Sequence, residues 1–162
     1  MILNVITIPT PSLRDRSTEV TRDFVLLPET QQFIQDLVLT MYADDGIGIA
    51  APQVANNIRI CVIGREATPD KKHDLVLVNP VWIKTSRRTD WDVEGCLSVP
   101  KIYGKVKRYT HIQVTALDAQ GNPISFEAKK FFARVIQHEV DHLDGILFID
   151  KAKDTYTVEK KG

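Results

Sequence analysis

The sequence predicts an α+β fold, in which short antiparallel strands form small sheets packed around a buried central helix. Three observations predict it. Two segments, Pro28 to Tyr42 and about Ala128 to Leu143, repeat apolar residues at the helical period. Between them lie many short stretches that are either apolar or alternate apolar with polar. The second helical segment is apolar on two faces, which places it inside the molecule. Two helices among many short strands is the α+β pattern.

In chain order, residues 1–27 read as an irregular, Pro-punctuated segment with a few extended stretches. In the first helix Phe33, Leu37 and Met41 recur at i+4, as do Ile34 and Val38, and Asp44-Asp45-Gly46 ends it. Gly46 to Gln53 reads as a loop of glycines and small residues. Ile58 to Ile63 and Leu75 to Val78 are expected strands, joined by the polar loop Gly64 to Asp74, and Val81-Trp82-Ile83 is a further short one. His111 to Leu117 alternates, Gln120-Gly121-Asn122-Pro123 turns, and Ile124 and Phe126 start the return strand of a hairpin. The second helix stops at Asp144-Gly145. Along it Phe131, Val135, His138 and His142 share one stripe. Phe132, Ile136, Val140 and Leu143 share another, with Glu139 at its margin. Residues 1–150 are expected to form a single domain, and the charged residues 151–162 are expected to fray.

Composition narrows the function. At 162 residues with 43% hydrophobic and 26% charged content, the chain is long enough to bury a core without staples. Its net charge of zero gives no support to general nucleic-acid binding, and no DNA partner is expected. Arg87, Arg88, Lys105, Lys107 and Arg108 read as a solvated face. No apolar run approaches the ~20 residues needed to span a bilayer, so no membrane partner is expected. Met1-Ile2-Leu3-Asn4 has no basic region and is followed by Pro9 and Pro11, so it is not expected to be a signal peptide. Cys61 and Cys96 form no disulfide framework, which points to a reducing, cytosolic setting.

The chemistry concentrates in Gln137-His138-Glu139-Val140-Asp141-His142-Leu143. On a helix His138 and His142 lie one turn apart on one face and can reach the same ion. Glu139, on an adjacent face, can act as a general base on water at the metal without being a ligand. The third ligand is the open question. Phe148 stands where one group of zinc peptidases has its third His. Another group uses a Glu on a following helix, but Glu159 sits in the tail. Asp144 and Asp150 remain possible, the former better read as part of the helix stop. The better candidate is upstream: Glu94-Gly95-Cys96-Leu97-Ser98 presents a thiol in a turn. A Cys/His/His set leaves a tetrahedral ion one open position, as catalysis requires. The soft thiolate suits iron(II), zinc, cobalt or nickel. Cys61, inside an apolar strand, reads as a small buried hydrophobe.

Gly46-Ile47-Gly48-Ile49-Ala50-Ala51-Pro52-Gln53, Glu94-Gly95-Cys96-Leu97-Ser98 and Gln137-His138-Glu139-Val140-Asp141-His142 together resemble the three signature motifs of peptide deformylases, in order and at similar separations. The resemblance implies removal of the formyl group from the N-terminal formylmethionine of newly made peptides, releasing formate. It implies that Cys96, His138 and His142 hold one divalent ion per chain: iron(II) in the cell, with zinc, nickel or cobalt in the isolated protein. Glu139 would move the proton, while the Gln53 amide and the Leu97 backbone N–H would face the developing oxyanion. Gly46 and Gly48 would let an extended peptide approach the backbone. Ile47, Phe131, Arg134 and Val135 match positions around the methionine pocket. Tyr103 stands where many members have a substrate-contacting Arg, and Ile49 where Leu is usual. No long C-terminal helix is expected. The implied partners are N-formylmethionyl nascent peptides, with transient ribosome proximity, in a monomeric, bacterial-type cytoplasmic protein; an organellar origin stays open.

Other readings of the same residues stand beside these. Gln53 could simply brace its loop. Glu94 reads as orienting Cys96 or a nearby Arg rather than as catalytic. Asp141 and Arg108 are either a buried pair or plain solvated charges. The rival functions are a zinc endopeptidase or aminopeptidase with a downstream ligand, and a non-catalytic metal-binding module on the same fold.

Overall fold

The computed structural model describes residues 1–159. Its elements are α1 (Arg22–Leu26), α2 (Pro28–Ala43), β1 (Gly48–Ala50), β2 (Ile60–Ile63), β3 (Leu75–Lys84), β4 (Thr89–Cys96), β5 (Val99–Tyr109), β6 (His111–Leu117), β7 (Pro123–Lys129), α3 (Lys130–Leu143) and β8 (Lys153–Thr157). Five strands form an antiparallel sheet in the order β1-β2-β3-β6-β7, and three form a second in the order β4-β5-β8.

Strand β2 shows why the sheet sits where it does. All four of its side chains are buried, so its sequence is continuously apolar rather than alternating. Cys61 and Ile63 face the cluster built by Phe132, Ile136, Val140 and Leu143 of α3. Ile60 and Val62 face the cluster built by Ile34, Leu37 and Met41 of α2. The two helices therefore cover opposite faces of the five-stranded sheet. On its other side α3 meets the three-stranded sheet, where Val99 and Val106 pack on Leu147 and Phe148. Every residue of α3 from Phe132 to Leu143 is buried, which makes it the central helix that its two apolar faces predict.

Several local readings differ. A five-residue helix, α1, interrupts the N-terminal segment, and its first turn is held by Thr21 accepting from the Phe24 N–H. The glycine loop contains strand β1 followed by a 3-10 turn at Ala51–Val54. The two apolar stretches of residues 75–83 are one strand with an irregularity between Val78 and Val81, where Asn79 has φ 50°. Both long strands flanking Cys96 escape the alternation reading, because β4 is exposed on most of its length and β5 mixes lysines with small residues. The expected fraying of residues 151–162 is corrected over Lys153–Thr157: this segment pairs with β5, setting Tyr156 opposite Tyr103. The last three residues of that expectation lie outside the described residues. Among the described residues no helix is long and apolar enough to cross a membrane.

The end of α3 is fixed by contacts that arrive from elsewhere in the chain. The Leu143 carbonyl accepts from the Ser17 N–H at 2.7 Å and from Arg59 Nη1 at 3.0 Å. Gly145 then turns the chain at φ 75°, and a Cβ there would lie 2.3 Å from the Arg14 carbonyl oxygen. Gly145→Ala is thus expected to destabilise the fold by about 2–3 kcal/mol, read as a lower urea midpoint. An unchanged midpoint would mean that the backbone around Arg14 gives way freely.

Candidate metal centre and cleft

Helix α3 presents His138 and His142 one turn apart, with ring centroids 5.1 Å apart. Cys96, the last residue of β4, comes in from the second sheet, its Sγ 3.2 Å from His142 Nε2. One potential ligand atom from each of Cys96, His138 and His142 lies within 4.8 Å of the other two. A soft sulfur and two imidazole nitrogens converging at this spacing are a donor set for a divalent transition metal. The surrounding bonds favour that use. The Nδ1–H of His138 donates to Glu94 Oε1 at 2.7 Å, which leaves its other nitrogen for an ion. Phe148, which fills the place of a downstream His, lies stacked on the His138 ring at 6.1 Å. Asp144 pairs with Arg59, and Asp150 with Arg14.

Glu94 is the hub of a buried ion network. Its two oxygens accept from Arg108 at 3.0 and 2.9 Å, and one of them also accepts from Arg134 at 2.7 Å. Arg108 reaches on to Asp141 at 2.6 Å, and Lys151 closes on Asp141 from solvent at 2.9 Å. Burial alone would raise the Glu94 carboxyl, but the bonds from Arg108 and His138 hold it well below the usual carboxylate range. The solvated reading of Arg108 is corrected, since it is 3% exposed and paired on both sides. Asp141 and Arg108 are a buried pair. No local signal could have decided this, because the partners sit on three separate elements.

Glu139 is buried too, and its Oε1 has no hydrogen-bond partner among the described residues. Burial is the main cause that pushes its carboxyl up to about 7. Its other oxygen lies against β1, where a Cβ on Gly48 would be 2.7 Å away. Gly48 therefore lacks a side chain where the carboxylate packs on the strand. Gln53 is held from both ends. Its Oε1 accepts from the Ala50 N–H at 2.9 Å, and its Nε2 donates to Ser98 Oγ at 3.2 Å and Cys96 Sγ at 3.5 Å. It braces its loop and also aims its amide at the thiol. Cys61 lies in the core as expected, with burial pushing its thiol up.

Gln53, Cys96, His138 and Glu139 line one cleft of about 760 Å³, and His142 is buried. Gly46, Ile47 and Gly48 form one wall, Gly95, Cys96, Leu97 and Tyr103 the other, and Phe131, Val135, His138 and Glu139 the floor. Phe131 is half-exposed at the rim, while Val135 is buried. Arg134 borders the cleft, but both terminal nitrogens are engaged, with Glu94, the Val106 carbonyl and Asp90. Its cation ties α3 to β4 and β5 rather than facing the opening. Val5 and Thr7 of the N-terminal segment and Lys101 of β5 also line the cleft, and no motif marks them in the sequence.

A cleft with a Cys/His/His donor set and a buried carboxylate beside it, on an α+β scaffold, defines a metal-dependent hydrolase. The model of the polypeptide deformylase family matches residues 2–157. The chain belongs to that family, whose enzymes hydrolyse the formyl group from N-formylmethionyl peptides. Peptide deformylase 2 of Vibrio cholerae is 45% identical over 150 residues, covering 92% of this chain and 85% of the relative. The crystal structure of the Thermotoga maritima peptide deformylase superposes with a TM-score of 0.85 at 32% identity, covering 94% of this chain and 99% of that one. A class I type b peptide deformylase from Acinetobacter baumannii, solved with Met-Ala-Ser bound, gives 0.87 at 32% identity over 93% of this chain and 98% of that one.

Proposed function

We propose that this cleft carries out the deformylation, with Cys96, His138 and His142 holding one divalent ion: iron(II) in the cell, and zinc, nickel or cobalt in the isolated protein. The single observation that carries this reading is the convergence of those three donors beside Glu139, whose Oε1 has no hydrogen-bond partner among the described residues. When bound, the ion supplies a Lewis acid that makes water nucleophilic near neutral pH. Glu139 takes a proton from the attacking water and passes it to the leaving nitrogen as the formyl C–N bond breaks, giving formate and a free amine. The Gln53 Nε2 and the Leu97 backbone N–H stabilise the oxyanion that develops on the formyl oxygen. Ile47, Phe131 and Val135 take the methionine side chain, and the peptide backbone runs beside the Gly46–Gly48 segment, whose missing side chains leave room for Leu97 and Glu139. Arg134 acts on the pocket through the walls it joins, and Tyr103 borders the path of the downstream residues. The A. baumannii relative with Met-Ala-Ser bound supports a substrate of this kind. The partners are nascent chains met near the ribosome, in the cytoplasm, by a monomer.

The direct experiment is formate release from a formyl-Met peptide by protein loaded anaerobically with iron(II), nickel or zinc. Release with at least one ion is expected, and none with any of them would remove the reading. Cys96→Ala should lose at least tenfold in metal affinity while keeping the parent circular dichroism. Full metal retention in that variant would point to a ligand downstream of His142.

A further inference from the structure

The outer face of the three-stranded sheet carries groups that the cleft chemistry leaves largely unused. Glu94 of β4 and Val106 and Arg108 of β5 are buried beneath the sheet. By strand alternation, Trp91 and Val93 of β4 and Tyr103, Lys105 and Lys107 of β5 point the other way; Lys101, at φ 67° near the irregular end of the β4–β5 pairing, lies beside them, and all six are exposed. The register sets Trp91 opposite Lys107, Val93 opposite Lys105, Tyr103 opposite Tyr156 and Lys105 opposite Lys153. The Tyr103 and Tyr156 rings stack at 5.9 Å, and Lys153 Nζ lies 4.8 Å from the Trp91 ring centre. Trp91 and Tyr156 remain 45% and 48% exposed. Lys101, Lys105, Lys107 and Lys153 form no ion pair among the described residues. Acids flank this face rather than share it: Asp90 and Asp92 lie on the alternate positions of β4, Asp154 at the irregular start of β8 with φ 53°, and Glu159 follows Val158, whose N–H donates to the Lys101 carbonyl at 2.7 Å. Since the chain as a whole is neutral, this cationic face is a local concentration.

We propose that this face binds single-stranded RNA, its lysines against phosphates and its rings against bases. Polyanion binding by lysines and stacking on exposed aromatic rings are the two components of single-strand recognition, and a sheet face supplies both side by side. An acidic peptide would use the lysines and leave the rings idle. A lipid surface needs protruding aliphatic groups, and Val93 is the only aliphatic side chain among these outward residues. The face runs into the cleft mouth through Val93, Lys101 and Tyr103. Bound RNA would thus hold the opening where nascent peptides emerge. The choice of RNA over single-stranded DNA rests on the deformylase reading; the cationic aromatic face does not.

The test is fluorescence anisotropy of a labelled, unstructured RNA 12-mer with the metal-loaded full chain, with formate release measured in parallel. Four lysine contacts predict that log K falls with log salt at a slope of about −3. Lys105→Gln with Lys107→Gln should reduce that slope by about 1.4, and Lys105→Glu with Lys107→Glu should weaken binding at least tenfold at low salt. Both should leave formate release unchanged. Trp91→Ala should weaken binding about tenfold with the slope preserved. The proposal is overturned by absent RNA binding at low salt in a protein that releases formate, or by binding that ignores these substitutions. Equal or tighter binding of polyglutamate, phosphatidylserine vesicles or the matching DNA 12-mer would overturn it as well.

Discussion

Glu139→Gln is expected to retain the bound metal and to lower kcat for formate release by about 10²–10⁴-fold. The substitution keeps the shape of a side chain that is 3% exposed and packed against Gly48, but it removes the carboxylate proposed to accept and return the proton. Its Oε1 makes no hydrogen bond among the described residues, so no structural bond to that atom is lost with the charge. Removing a buried carboxylate with an oxygen unpaired among the described residues should leave the unfolding midpoint equal to or above that of the parent. An inactive but stable, metal-loaded variant would separate chemistry from folding. A kcat within threefold of the parent would take Glu139 out of the mechanism.

Arg108→Met is expected to cost about 3–5 kcal/mol, because it leaves the Glu94 and Asp141 carboxylates without their shared buried cation. For a chain of this size that corresponds to a fall in Tm of roughly 6–20 °C. Glu94 keeps Arg134, and Asp141 keeps the half-exposed Lys151, which places the loss within this range rather than beyond it. Glu94 also accepts the His138 Nδ1–H, so metal affinity should fall by about 10–100-fold in the same variant. Calorimetry and metal titration read the two effects separately. A Tm within 2 °C of the parent would show that the network contributes no net stability.

The legible parts of this molecule are those whose cause is local. Helix α3 could be placed within two residues because its burial requires two apolar stripes, and those stripes are visible as spacing. The β6–β7 hairpin was legible for the same reason, its alternation leading into a turn where Gly121 has φ 77°. Strands β4 and β8 were not legible. Both are exposed edge strands whose pairing partner, β5, rather than their own composition, makes them strands. The glycine segment looked like a loop because a three-residue strand is too short to show a period.

By itself the sequence pointed to the candidate donors and the proposed base: His138, Glu139 and His142 from helical spacing, and Cys96 by its motif. Tertiary structure alone decided what the surrounding charges do. Arg108 and Arg134 look like solvated or substrate-facing cations until Glu94, Asp90 and Asp141 are brought to them from other elements. The physical reason is range. Ligand spacing is set within one helical turn, whereas the balance of desolvation and pairing that fixes a buried charge depends on groups that only the completed fold assembles.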